Sequence, residues 1–344
     1  MSLFWIILAV LALGVMVMLH ELAHMLVAKA FHMEVFEYSI GFGPKLWQKM
    51  SRSGTRYSLR ALPLGGYVAF DDPANADAEN LAFRRYPVGH RFWVMLAGSL
   101  MNIVTAILLA ALVLMAWGTT EAVPTVAGVY ENYPAQAAGL QVGDQILSVN
   151  GTDVAGNYAA FSQAISAAGG DEIALTVLRN GEEVELVMRP MWVAEEGRYM
   201  IGMTAAQQRV NISFFSAMST AFAWTFSMIL ALFEFLGGLF RGQGTDDVSS
   251  IVGAVQVVAE SGQTYGFSAF LTLISYLSIN LGVMNLLPLP VVDGGKILLL
   301  GLEKLRGKAL PVEKEGIINL VGVAIFGAIF IMLTFKDVGR IIGG

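Results

Sequence analysis

Apolar residues gather along this chain in five long blocks: Leu3 to Ala28, Phe92 to Trp117, Ile212 to Phe240, Phe267 to Leu287, and 316–335. About 20 residues of helix cross a hydrocarbon layer of roughly 30 Å, so each block is long enough to be tested as a membrane span. Between the second and third blocks the pattern changes to alternation. Ile173 to Leu178 and Val184 to Met188 flank Asn180-Gly181, which predicts two antiparallel strands joined by a tight turn. Between the first and second blocks, Val35, Tyr38, Ile40 and Phe42 run into Gly41-Phe42-Gly43-Pro44, and Tyr57 to Ala69 contains Pro63-Leu64-Gly65-Gly66-Tyr67-Val68. Glycine and proline argue against helix there, and the apolarity argues against a plain solvated loop. A β-hairpin over 33–70 dipping into the membrane face fits both observations; an ordinary amphipathic surface hairpin is the alternative.

Charge orients the blocks. Lys45, Lys49, Arg52, Arg56, Arg60, Arg84, Arg85 and Arg91 make the first connection cytoplasmic by the positive-inside rule, with the N-terminus outside. Residues 121–206 are acidic and turn-rich and are expected as a soluble domain on the outer side. Lys304, Arg306, Lys308 and Lys314 place the segment Glu303 to Glu315 inside again. One crossing between them suffices, Phe267 to Leu287 supplies it, and 241–265 looks too polar to add another. Ile212 to Phe240, with Ser213, Ser216, Ser219, Thr220 and Glu234, is therefore expected as an interfacial helix within an outer region 207–265, although hydropathy alone makes it a fifth span. The expected fold is an α-helical polytopic membrane protein of about four transmembrane helices. Its spans are 3–28 and 92–117 in a first catalytic part (1–118), then 267–302 and 316–335 in a second (266–344).

Composition agrees with that picture. Of 344 residues, 56% are hydrophobic and 14% charged, which leaves room for one modest soluble domain. The N-terminus has no basic region ahead of its apolar run, so no cleavable signal peptide is expected. Asp71 to Glu79 reads as an acidic, mobile linker. The net charge of −6 includes no basic patch, which excludes nucleic acid as a partner. There are no cysteines, so disulfides and thiol catalysis are excluded and any metal must rest on histidine and carboxylate.

The first block carries that chemistry. Met18-Leu19-His20-Glu21-Leu22-Ala23-His24-Met25 is an HExxH motif inside an apolar helix. His20 and His24, four residues apart, share one face and can share one zinc ion, with Glu21 beside them as general base. Ionisable groups at this depth are costly, which favours function over a purely structural set of interhelical hydrogen bonds. A candidate for the third ligand lies near the end of the chain. Asn285-Leu286-Leu287-Pro288-Leu289-Pro290-Val291-Val292-Asp293-Gly294-Gly295 breaks its helix at a comparable depth, where Asp293 either completes the metal site or simply sits in a turn. Ala97-Gly98-Ser99 and Asn102 are small and polar residues that let helices approach; Asn102 either touches substrate or locks helices together.

Two resemblances enter on these residues. Pro134 to Gly151, with Gly139-Leu140-Gln141-Val142-Gly143-Asp144 and Ile146-Leu147-Ser148-Val149-Asn150-Gly151, resembles the bacterial PDZ signature. The implied domain is an extracytoplasmic PDZ-like α+β module over 121–206 that takes a peptide or chain end. HExxH, Gly-Phe-Gly-Pro, Pro-Leu-Gly-Gly-Tyr-Val, this module and NxxPxPxxDGG, in that order, resemble the bacterial site-2 proteases of the regulator of sigma-E protease group. The resemblance implies one zinc ion on His20, His24 and Asp293, with Glu21 as base, and a membrane-reentrant β-hairpin. It also implies substrate contacts from Asn285, Asn280 and Asn102. The implied substrate is a single-span membrane protein, such as an anti-sigma factor or a remnant signal peptide, cut within the lipid bilayer of the bacterial cytoplasmic membrane. Some relatives have tandem PDZ domains, and this chain has space for one.

A transmembrane helix hides its carbonyls, so the substrate must unwind before hydrolysis. Pairing with the hairpin edge near Gly65 to Val68, with Gly65, Gly66 and Tyr67 as contacts, would replace the lost hydrogen bonds. The PDZ-like module is expected to exclude substrates with bulky external domains. Two other classes compete: a catalytically silent PDZ-containing membrane scaffold, and a transporter exploiting the broken helix near Asp293.

Overall fold

A computed structural model describes residues 2–72, 81–243, 248 and 250–343. Most of the expected linker, from residue 73 onward, lies outside the described residues. The chain divides into two compact units, Met1–Trp117 with Ser213–Gly344, and Gly118–Ile212.

The first unit is helical. Helix α1 (Leu3–Ala30) has no proline and stops where Phe31 and His32 leave the helix; His32 has φ +56 and the Met33 N–H closes back on the Ala28 carbonyl at 2.9 Å. It is followed by strands β1 (Glu37–Met50) and β2 (Arg56–Ala69), a single 3-10 turn at Ala82–Arg85, and helix α2 (Val88–Trp117). After the second unit come α5 (Phe214–Phe240), α6 (Ile251–Tyr265), α7 (Phe267–Leu286), α8 (Asp293–Arg306) and α9 (Val312–Gly343). Here α3 and α4, like β3 to β10, belong to the second unit.

Among the described residues five helices, α1, α2, α5, α7 and α9, are long and apolar enough to cross a membrane. Length and composition thus admit one candidate span, α5, beyond the about four expected. Helix α5 runs alongside α2, with Ala221 against Ala110 and Ala111, and Leu232 meeting Ala106, Ile279 and Val283. Helix α6 leads to the end of the bundle where α1 begins: Trp5 packs on Gly262, Phe267 and Phe270. Fifteen residues of helix rise about 22 Å, and α6 packs against α1, α7 and α9 through a face that includes Gly253, Val258, Ala259 and Gly262. The expected span 267–302 is likewise two helices. Leu287 leaves α7 in an extended conformation, prolines follow at 288 and 290, and α8 restarts at Asp293. At the opposite end of the bundle Arg91 holds Glu303 with two hydrogen bonds, 2.5 and 3.0 Å, and Arg84 pairs with Glu315.

The segment expected as a hairpin uses each strand twice. The second half of β1 turns back on the first half of β2, with Met50 opposite Arg56 and Trp47 opposite Leu59. That half of β2 also lies parallel to the first half of β1, Glu37 opposite Arg56 and Ile40 opposite Leu59. The last residues of β2 return to the same stretch of β1, Glu37 opposite Ala69 and Ile40 opposite Gly66. Arg60 ties these layers together: it donates to Ser39 Oγ (3.0 Å), the Gly43 carbonyl (2.9 Å), Glu37 Oε1 (3.2 Å) and the Tyr67 hydroxyl (2.5 Å).

The second unit is a small α+β module. Its strands are β3 (Thr119–Val129), β4 (Gln145–Val149), β5 (Thr152–Asp153), β6 (Ile173–Arg179), β7 (Glu182–Met188), β8 (Met191–Val193), β9 (Arg198–Met200) and β10 (Met203–Val210). The sheet runs β10-β3-β4-β6-β7 with β5 beside β4, and β8 and β9 form a separate hairpin. The short α3 (Pro134–Ala137) and α4 (Tyr158–Ala167) complete it; Asn157 caps α4 by accepting from the Ala160 N–H. Ile146, Val149, Phe161, Ile173, Leu175 and Val177 are buried together as its core. The Asn180-Gly181 turn has both residues at positive φ, +51 and +89, as a tight hairpin turn requires.

Candidate metal centre

His20 and His24 lie one turn apart on α1, and Asp293 opens α8, 273 residues after His20. Both histidines are 5% exposed and Asp293 9%. His20 Nε2 is 3.0 Å from Asp293 Oδ2 and 3.0 Å from His24 Nε2, and His24 Nε2 is 3.2 Å from Asp293 Oδ2. Donors around a tetrahedral zinc stand roughly 3.3 Å apart, so two imidazole nitrogens and one carboxylate oxygen converge at the spacing such an ion needs. They are the one such group of histidines and carboxylates among the described residues.

Neighbouring residues keep this space open. Gly98 of α2 faces the two rings, and a Cβ there would land on the Nε2 atoms of His20 and His24. The segment leading to Asp293 is folded back tightly: a Cβ at Gly294 would meet the Leu286 and Leu287 carbonyls, and one at Gly295 the Leu289 carbonyl. The two glycines after Asp293 are thus required by close backbone approach. Val291, two residues before Asp293, has φ +80, a conformation costing a non-glycine residue about 1–3 kcal/mol and held by its surroundings.

Outer contacts fix the rings. The Nδ1 of His24 is 2.6 Å from the Val94 carbonyl, and that of His20 is 3.1 Å from the Asn102 side-chain amide. Glu21 Oε2 accepts a hydrogen bond from the Val68 N–H at 3.1 Å, which joins α1 to the last stretch of β2. Glu21, His24, Tyr67, Val68, Met95, Asp293 and Lys296 border a cavity of about 190 Å³. A second cavity, of about 240 Å³, shares Val68, Met95 and Lys296 with it and extends to Arg84, Glu303 and Glu315.

The other anticipated residues are distributed around this centre. Tyr67 borders the cavity, Gly66 sits against the Ser39 carbonyl, and Gly65 lines an apolar groove with Val10, Gly14, Val17 and Ile251. Asn280 and Asn285 are half-buried in the last two turns of α7 and are not among the residues bordering the cavity. Asn102 is fully buried beside His20. Gly98 was not singled out as a site residue from sequence, and Val68 was expected only at the end of the hairpin edge. Gly98 falls in a small-residue cluster whose only legible message is close helix approach.

The profile of peptidase family M50 matches residues 8–329 of this chain. The chain belongs to peptidase family M50. A Clostridium acetobutylicum protein named as a zinc metalloprotease is 33% identical over 340 residues, covering 98% of each chain. One from Agrobacterium fabrum, similarly named, is 30% identical over 362 residues, covering 97% of this chain and 95% of its own. Among solved structures, the PDZ domain of the SdrC-like protein from Listeria monocytogenes matches 26% of this chain and 92% of its own, with 21% identity and a TM-score of 0.23. As an M50 member the chain is a multi-pass membrane zinc metalloprotease, and the His20, His24, Asp293 cluster has the donor chemistry and the open space for the family's metal.

Proposed function

We propose that this M50 protease hydrolyses peptide bonds within the transmembrane segments of single-span membrane proteins, such as anti-sigma factors or remnant signal peptides. One observation carries the reading: an HExxH pair deep in an apolar 28-residue helix is joined by a carboxylate from a broken helix near the other end of the chain. A soluble substrate would not require that the chemistry be set seventeen residues, or about 25 Å, into such a helix.

His20, His24 and Asp293 hold the zinc. When bound, the metal supplies Lewis-acid polarisation of a peptide carbonyl and lowers the pKa of water toward about 7. Glu21 takes the proton of the attacking water and returns it to the leaving nitrogen. The Val68 N–H orients the Glu21 carboxylate. The stretch Gly65, Gly66 and Tyr67 offers a strand edge on which an unwound substrate replaces its helical hydrogen bonds, with Asn285 and Asn280 capping the extended chain. Residues 118–212 act as a PDZ-like module that binds a chain end or excludes substrates with bulky external domains. The protein sits in the bacterial cytoplasmic membrane, its N-terminus and this module outside.

The test is cleavage of a fluorescent single-span substrate by detergent-purified wild type and Glu21→Gln, with bound zinc quantified in both. Cleavage inside the span by wild type, and an inactive variant that retains its zinc, support the reading. Wild type that holds no zinc and cuts none of several varied substrates would favour a silent scaffold.

A further inference from the structure

A histidine that gives Nε2 to a metal carries its remaining proton on Nδ1, which then needs an acceptor. His24 has one, the Val94 carbonyl at 2.6 Å. Among the described residues the Nδ1 of His20 faces only Asn102, at 3.1 Å from the side-chain nitrogen. Two N–H groups cannot satisfy each other. In the same arrangement Asn102 Oδ1 is buried and has no hydrogen-bond partner among the described residues. A half-turn of the amide about its last torsion exchanges oxygen and nitrogen in the same volume. It places Oδ1 on the His20 N–H, as the Val94 carbonyl sits on His24.

We propose that Asn102 is a positioning residue for the metal: its side-chain oxygen accepts the Nδ1 proton of His20 and so holds Nε2 toward the zinc. This rests on the metalloprotease reading above and assigns Asn102 a role behind the metal, in place of a contact with substrate. Its location supports the assignment. Asn102 is 0% exposed, and its backbone carbonyl accepts from Ser278 Oγ at 2.8 Å, which pins this turn of α2 against α7. The side chain is therefore delivered from a fixed backbone rather than from a loop.

The requirement is for an acceptor, which separates this role from simple filling of space. Asn102→Asp keeps an oxygen toward His20, Asn102→Leu keeps the volume without an acceptor, and Asn102→Ala removes both. Zinc affinity of each purified full-length variant, measured by competition with a chromophoric chelator, is the readout, alongside melting of the zinc-free proteins. The expected result is zinc binding weakened by roughly 10–100-fold in Asn102→Leu and Asn102→Ala, with Asn102→Asp within a few-fold of wild type. If Asn102→Leu does not fold, Asn102→Ala decides. Equal zinc affinity in wild type and the variants lacking an acceptor overturns the inference and leaves the protease reading standing. So does an equal loss in all three variants that tracks their zinc-free melting temperatures. A wild type that binds no zinc overturns both.

Discussion

The Glu21 carboxylate accepts a hydrogen bond from the backbone N–H of Val68 at 3.1 Å, so the candidate base is held by the strand proposed to receive substrate. Because the Val68 N–H points to Glu21 rather than into the sheet, a proline at 68 removes this one bond and leaves the pairing with β1 in place. Hydrogen bonds to charged groups contribute about 1.5–3 kcal/mol. Val68→Pro is expected to lower the cleavage rate by about one to two orders of magnitude at unchanged zinc content. Unchanged turnover would mean that Glu21 needs no orientation from this strand.

Gly98→Ala places a methyl group where the Nε2 atoms of His20 and His24 converge. The variant should fold, since alanine favours helix over glycine by about 1 kcal/mol. Its zinc affinity should fall at least tenfold, to be read by metal analysis after dialysis against a weak chelator. Full zinc occupancy under those conditions would show that α2 can move away from α1.

If the substrate must unwind before it is cut, its helix stability enters the rate. A Leu→Gly change near the scissile bond weakens a helix by about 1 kcal/mol, which corresponds to about a fivefold faster cleavage when unwinding precedes chemistry. A series of single-span substrates with one glycine at successive positions measures this. A flat series would place the slow step elsewhere.

In the second unit the Arg179 guanidinium, at 2.7 and 2.8 Å, holds the Asp144 carboxyl below the ordinary carboxylate range; burial opposes it and the Gln141 N–H assists. A carboxylate depressed on folding adds stability that is complete above its unfolded value, about 3.9, and lost as the pH falls through its folded value. Thermal melting of residues 118–212, followed by circular dichroism, should therefore weaken below about pH 4. Asp144→Asn should melt lower at pH 7 and show a flatter acid limb. Parallel acid limbs in the two proteins would remove this pair from the pH dependence.

The chemistry of the site was legible because histidine, glutamate and aspartate are rare in apolar helices, and because prolines and glycines announce a broken helix wherever they cluster. Geometry that depends on distant backbone was not. Gly98 looked like a residue for helix packing, and nothing local says that the neighbouring helix presents two imidazoles. The β1 and β2 segment carried clear turn signals at Gly41, Gly43 and Gly65, yet their register, with each strand paired twice, depends on contacts across the whole segment. The packed face of α6 was not legible either, because its average polarity hides the positions by which it packs, as at Gly262 against Trp5.

The three donors of the metal centre are separated by most of the polypeptide, with His20 and His24 near its beginning and Asp293 after the inserted unit and three further helices. A ribosome-bound chain that has not yet released Asp293 holds two histidines and no third ligand. On the proposed ligand set the chain therefore passes through nearly all of its synthesis and membrane insertion without a complete metal centre. Proteolytic competence then arrives late, when the last quarter of the chain folds against the first helix.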